Sequence, residues 1–405
     1  MNTPNEKLVL RPASMQRPDA ASPQRLALFA LGFRPFYLLA ALLAALSVPV
    51  WVAQYVGVLP GHGPIAGLAW HMHEMVFGFA VAVITGFLFT AGRNWTNQPT
   101  PTGPVLAAIA ALWLAGRILV LTPWHVAAAA ADTAFAIAAA AGFAVPVFAS
   151  RNRRNYFFVP VLLGLGAANL VFYLAMSGVV DFPVQRGLQT GLDLILFVIA
   201  VMGGRVIAMF TANAIPGASP VRLPWVERTT LITTLALLVA DLLGPGNLTL
   251  VAVALACALA HGWRLLLWQP WRTVKSPIVW ILHLSYAWIP VHLILRALAA
   301  LGYLPLGLAT HALAVGVIGG LTIGMMTRTS RGHTARPLKA GPAEIASYVL
   351  VHLAAAVRVF VPIAAPDAQL EAIIASGILW FTAFAVFSVA FWPVLTRPRL
   401  DNGPG

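Results

Sequence analysis

A cluster of metal-binding and ionisable side chains opens the second apolar segment of the chain. It runs from Trp70 to Met75, contains His71, His73 and Glu74, and continues as an apolar stretch to about residue 91. Ionisable groups inside a bilayer are costly, so each of them is a candidate functional residue. Imidazole is the commonest protein ligand of transition metals, and the Met thioether suits copper(I) and haem iron. The cluster therefore predicts a redox-metal site within a membrane.

Composition places this cluster in a membrane protein. The chain has 405 residues, of which 60% are hydrophobic and 9% are charged, whereas a soluble domain carries about 25% charged residues. The mean hydropathy is +0.84. The fold class that follows is all-α, a polytopic integral membrane protein. The lone cysteine, Cys257, excludes a disulfide, an iron–sulfur cluster and CxxCH haem attachment within the chain.

Twelve segments are long and apolar enough to be predicted as transmembrane helices, at roughly 20 residues each. The seventh ends against a Gly-Pro-Gly turn and is the shortest, and Arg34-Pro35 favours a turn before a first helix that starts near Phe36. The segments span residues 28–54, 67–91, 104–122, 126–149, 156–179, 188–212, 229–244, 247–268, 277–300, 307–327, 343–363 and 370–394.

The distribution of positive charge predicts the topology. With both termini in the cytoplasm, 20 of the 25 Lys and Arg residues fall on the cytoplasmic side, and Arg205 lies inside a span. The net charge of +13 therefore reflects topology and not nucleic-acid binding. The predicted organisation is a disordered cytoplasmic arm (1–25), one transmembrane domain (26–394) and a cytoplasmic tail (395–405). The positive residues assigned to the other side are Arg117, Arg186, Arg296 and Arg358.

This topology divides the polar residues of the predicted helices into an outer and an inner group. Two separated groups suit two cofactors, or one cofactor and a substrate, whereas a transporter more often concentrates polar groups near the midplane. The outer group is His71, His73, Glu74, Asp132, Asp193, Asp241, His292, Arg296 and His311, and the inner group is Arg205, Asn213, His283, Arg328 and His333.

Helical geometry limits which residues can share a ligand. His71 and His73 are separated by about 200° around an ideal helix, so they face different neighbours. His71 shares one stripe with Glu74, and His311 is the imidazole that matches its depth. In the inner group, Arg205 follows two glycines that thin the helix where a bulky or anionic group could dock. The alternative interpretation is that His311 and His292 only make hydrogen bonds and bind no metal.

Six segments, in their order along the chain, resemble the NnrS family over about residues 25–390. They lead into helix one, open helix two, lie in helix six, start helix nine, open helix ten and follow helix ten. Ala335 stands where the family pattern has glycine. The six segments are Gly32–Phe36, His71–Gly78, Gly203–Ile207, Leu282–Trp288, His311–Leu313, and Met326–Arg328 continuing into Gly332–Thr334.

The resemblance implies a haem- and copper-containing bacterial inner-membrane protein of nitric oxide metabolism, denitrification and resistance to nitrosative stress. It implies metal-ligand roles for residues that match the histidine-bearing motifs of the family. These residues are His71, His73, His283, His311 and His333.

The leading hypothesis is therefore a haem/copper protein that binds nitric oxide or exchanges electrons with a redox partner. In it, His71 or His73 binds an outer metal with His311, and Glu74 fixes an imidazole tautomer or relays a proton. His283 and Arg205 form an inner haem or anion site. The alternative hypotheses are a non-redox transporter and an assembly factor for a haem–copper nitric oxide reductase. The sequence predicts neither a catalysed reaction nor an oligomeric state.

Overall fold

The computed structural model describes residues 26–61, 65 and 67–401, so the predicted arm (1–25) and the last four residues of the predicted tail lie outside the described residues. Within this part the chain forms twelve main helices joined by short connections and no strands. Their bounds are α1 Phe33–Tyr55, α2 Gly67–Thr96, α3 Gly103–Leu119, α4 His125–Ala149, α5 Phe158–Met176, α6 Val184–Ala214, α7 Pro224–Leu243, α8 Asn247–Leu267, α9 Pro277–Ala300, α10 Leu306–His333, α11 Pro342–Ala364 and α12 Gln369–Thr396.

The all-α polytopic membrane fold predicted from composition is confirmed. Ten of the described helices are long and apolar enough to cross a membrane. The other two are α3, which is apolar but has 17 residues, and α7, which carries Glu227, Arg228 and Asp241. Large apolar side chains such as Leu259 and Val389 remain exposed, as expected of a surface that faces lipid. The twelve predicted crossings and the cytoplasmic termini stay predictions.

The start of α1 differs from the prediction. The helix begins at Phe33 and includes Arg34-Pro35 in its first turn, where proline is tolerated because no helical N–H is needed there. Arg34 is fully buried. Its Nη1 donates to the carbonyls of Leu395 (3.1 Å) and Arg397 (2.7 Å) at the end of α12. An arginine counted as loop charge therefore connects the first helix of the bundle with the last.

Glycines let two helices approach closely at the middle of the bundle. The sequence predicts that Gly316, Gly320 and Gly324 form a ridge for a neighbouring helix. In the structure a Cβ at Gly316 would lie 2.4 Å from Trp288, and one at Gly320 would lie 2.3 Å from Ser285 Oγ. Both neighbours belong to α9, so this prediction is confirmed.

Two of the helices contain a wider, π-helical segment. In α2 it covers Glu74–Ala80 and in α10 it covers Ala312–Gly319. Each segment begins within three residues of a histidine of the predicted outer group. π-Helical turns are rare and occur frequently at functional sites. We call the end of the bundle where α1 ends and α2 begins the outer end, and both π segments lie near it.

Candidate functional site

A cavity of about 340 Å³ opens at the outer end of the bundle. Its walls are the last turns of α1 and α11 and the first turns of α2, α6, α10 and α12. Most of the lining side chains are apolar, and the polar ones converge from different helices. We call this space the outer cavity. The groups on its wall that could bind a ligand are His71, Met72, Met75, Gln189, His311 and Arg358.

The structure brings His71 and His311 together across the outer cavity. Their ring centroids are 6.5 Å apart and their planes are nearly parallel, at 14°. His311 Nδ1 lies 2.6 Å from the Gly307 carbonyl, so this nitrogen carries the proton and Nε2 is left as a free electron-pair donor. His71 stacks on Trp51 at 4.3 Å, and its Nδ1 is buried without a hydrogen-bond partner.

Soft and cationic groups complete the lining of the outer cavity. Met72 and Met75 lie on its wall beside His71, and thioethers favour copper(I) and haem iron. Arg358 reaches the same space from the end of α11 and is suited to a carboxylate or another anion. An apolar space with two imidazoles, two thioethers and one guanidinium can hold a metal centre and a small apolar gas.

Glu74 lies outside this cavity, in a buried group that we call the Arg117 network. Arg117 Nη1 donates to Glu74 Oε1 at 2.9 Å, and its Nη2 donates to Asp132 Oδ1. The second oxygen of Asp132 accepts from Tyr173 (2.9 Å) and Asn169 (3.3 Å). The network joins α2, α3, α4 and α5, and it fixes where the first turns of α2 lie.

His73 also belongs to the Arg117 network. Its Nδ1 lies 3.0 Å from Glu74 Oε1 and its Nε2 lies 2.8 Å from Asn169 Oδ1. Both ring nitrogens therefore face oxygen atoms. An ideal helix places Glu74 on the stripe of His71, but in the structure Glu74, the first residue of the π segment, contacts His73 and Arg117 outside the outer cavity. The imidazole that Glu74 orients is that of His73.

A second buried group, which we call the Arg296 network, joins α6, α7 and α9. Arg296 Nη1 lies 3.3 Å from Asp193 Oδ1, and its Nη2 contacts Asp241 Oδ1. Gln189, on the wall of the outer cavity, donates from Nε2 to Asp193 Oδ1 at 2.9 Å. The second oxygens of Asp193 and Asp241 are buried without a hydrogen-bond partner. Two buried acceptor atoms of this network therefore receive no hydrogen bond.

The predicted inner residues occupy separate surroundings. His283 Nε2 lies 2.7 Å from Thr211 Oγ1, whereas Arg205 donates to Asn155 Oδ1 (2.6 Å) and to the Arg154 carbonyl. Each is held by hydrogen bonds of its own.

The two glycines before Arg205 make room for side chains of the protein itself. A Cβ at Gly203 would lie 3.0 Å from the Tyr286 ring, and one at Gly204 would lie 1.6 Å from Arg264 Nη2. The Arg264 guanidinium pairs with Glu227 at this point. An ion pair and an aromatic ring of the protein itself thus occupy the space beside the two glycines.

His333 lines a second cavity of about 330 Å³ at the inner end, together with Arg328. The Arg328 guanidinium lies 3.7 Å from the centroid of the Phe210 ring. Beyond His333, Ala335 adopts a left-handed conformation with φ 59°. This conformation costs an L-residue roughly 1–2 kcal/mol and is free of that cost in glycine.

No group of three or more His, Cys, Asp or Glu side chains suited to one metal ion occurs among the described residues. The five predicted metal ligands are thus distributed as one facing pair, His71 with His311, and three residues in separate places. His71 and His311 would hold a haem iron through their imidazoles, and together with Met72 and Met75 they would suit copper.

Sequence reasoning missed the partners of the buried charges. Arg117 and Arg296 were counted as positive charges of the outer side, but they are 7% and 3% exposed. The sequence did contain a signal for the pairing of Arg117 with Asp132, because these two residues lie at similar depth on consecutive antiparallel helices. Trp51 and Arg358, at the ends of their helices, were missed because nothing in the sequence shows that these two ends adjoin His71.

Comparison with protein families gives a match over nearly the whole chain. A family model described as NnrS protein matches residues 27–399. No curated protein matches the chain.

Proposed function

The chain belongs to the NnrS family, which makes it a membrane protein related to nitric oxide, and from this premise we propose that the outer cavity binds a redox metal cofactor, haem or copper, through His71 and His311. The bound metal supplies reversible nitric oxide binding and one-electron chemistry. The cellular role that we propose is protection against nitrosative stress during nitric oxide metabolism, in the bacterial inner membrane.

The observation that carries this proposal is the pair of imidazoles facing each other across a cavity. Two imidazoles that share one metal ion have ring centroids roughly 6 Å apart when each metal–nitrogen distance is about 2 Å, and the observed separation is 6.5 Å. The hydrogen bond from His311 Nδ1 to the Gly307 carbonyl is the support that metal-ligating histidines usually have. His71 is oriented by its stacking on Trp51.

The remaining wall residues set the surroundings of the cofactor. Apolar side chains such as Val48 and Leu192 exclude water from the outer cavity, which favours a small apolar ligand such as nitric oxide. Arg358 provides a cation for a carboxylate of the cofactor. Met72 and Met75 provide thioethers if the metal is copper(I).

Optical and EPR spectra of the purified full-length protein test the proposal, together with measured haem and copper content. We expect His71→Ala and His311→Ala each to abolish or shift the metal signals, because each removes one side of the facing pair. His125→Ala is the matched control, since His125 is an exposed histidine that bonds to the Pro123 carbonyl, and its spectra should equal those of the wild type.

Two results would overturn the proposal. One is wild-type protein that contains neither haem nor stoichiometric copper. The other is unchanged spectra in both His71→Ala and His311→Ala, which would place the metal elsewhere. His283→Ala and His333→Ala then identify whether an inner histidine is the ligand.

A further inference from the structure

The Arg296 network adjoins the outer cavity but has no role in binding the proposed cofactor. Asp193, Arg296 and Asp241 are 1%, 3% and 9% exposed, so all three lie in an apolar interior. Arg296 contacts both carboxyl groups. The two carboxyl groups therefore share a single guanidinium.

Charge balance puts one proton on this pair, because one guanidinium offsets only one of two buried carboxylates, and an uncompensated buried charge is costly. A second observation is independent of charge: Asp193 Oδ2 and Asp241 Oδ2 are buried and have no donor. We propose that Asp193 and Asp241 together form a proton-binding site that holds one proton between their carboxyl groups.

The groups that face this pair do not provide a second compensating cation. On α9, His292 directs Nδ1 to the Ala309 carbonyl at 2.7 Å, and its Nε2 has no partner, which is the arrangement of a neutral ring. Cys257 on α8 is a buried thiol, and Arg186 at the start of α6 is exposed to solvent. The network is therefore neutral with one proton on the pair and carries one negative charge without it.

Gln189 connects this site to the outer cavity. Its amide lies on the cavity wall and donates to Asp193 Oδ1, which leaves Oδ2 as the oxygen that shares the proton with Asp241. Negative charge that enters the cavity favours the protonated pair, and positive charge there favours release. The site thus compensates charge changes in the outer cavity, whichever cofactor the cavity holds.

Infrared spectroscopy of the full-length protein in lipid nanodiscs tests this proposal directly. A protonated carboxyl group has a carbonyl stretch that is separate from the carboxylate bands and shifts in D₂O. We expect the wild type to show this band and both Asp193→Asn and Asp241→Asn to lose it, because either change leaves a single carboxylate neutralised by Arg296. Asp132→Asn, in the Arg117 network, is the matched control and should keep the band.

The proposal would be overturned if both single variants kept the band at wild-type intensity. A measurement on the wild type covers the case in which the variants do not fold. Protein labelled with ¹³C on the aspartate carboxyl carbon should show the isotope shift in this band, and a band that does not shift belongs to glutamate and also overturns it. Neither readout depends on metal content, so failure here is distinguishable from failure of the cofactor proposal.

Discussion

Two buried ionic networks near the outer end differ in how their carboxylates are satisfied. Each contains two carboxylates and one arginine, and in each the arginine Nε has no partner. In the Arg117 network both oxygens of Asp132 accept hydrogen bonds, and Glu74 accepts from Arg117. In the Arg296 network one oxygen of each aspartate has no donor.

The difference shows that a buried ion cluster need not serve one purpose. The Arg117 network is completed by His73, whose two nitrogens face oxygen atoms. It joins four helices and is suited to fixing the position of α2, and with it that of His71. The Arg296 network has no comparable donor and retains a place for a proton. One network positions the site, and the other is able to respond to it.

Replacement of each arginine should have the largest effect on stability and tests whether the two networks differ. Arg117→Met leaves Glu74 and Asp132 without their cation, and we expect a loss of about 3–5 kcal/mol in the free energy of unfolding. Arg296→Met should cost less, about 1–3 kcal/mol, because Asp193 and Asp241 already share one proton and a second removes the remaining charge.

Thermal or denaturant unfolding in detergent measures both variants. The comparison depends on the order of the two losses. If Arg296→Met destabilises the protein as much as Arg117→Met does, both networks are structural ion pairs of the same kind.

The sequence predicted the coarse architecture and one facing pair. Hydropathy is local, so each of the twelve predicted segments coincides with a helix, and the alternating direction of helices predicted that His71 and His311 lie at one depth. The direction of Glu74 could not be predicted, because its partner Arg117 belongs to another helix and hydropathy does not show which side chains of two helices meet. Likewise Gly203 and Gly204 indicated a close approach but not the identity of Arg264 and Tyr286.

A smaller effect is expected from a glycine that makes room for the Arg117 network. A Cβ at Gly116 would lie 2.0 Å from Asp132 Oδ1, so Gly116→Ala must displace that carboxylate. We expect a loss of about 1–3 kcal/mol in the free energy of unfolding. Gly262→Ala is the control, because nothing lies within 4 Å of its Cβ position, and it should be neutral or stabilising by up to about 1 kcal/mol. Equal stability of the two variants would show that the network adapts to displacement.

The smallest effect should come from Gln189, where the Arg296 network meets the outer cavity. Gln189→Leu removes one donor to Asp193 Oδ1 and leaves the contact with Arg296, so the free energy of unfolding should fall by about 1 kcal/mol or less. The protonated-carboxyl band should persist but shift in frequency, because its partner carboxylate has lost a hydrogen bond. Asn169→Leu, the matching change in the Arg117 network, should leave that band unchanged. If the band disappears in Gln189→Leu, protonation depends on the hydrogen bond from Gln189. In that case the proton is not shared between Asp193 and Asp241.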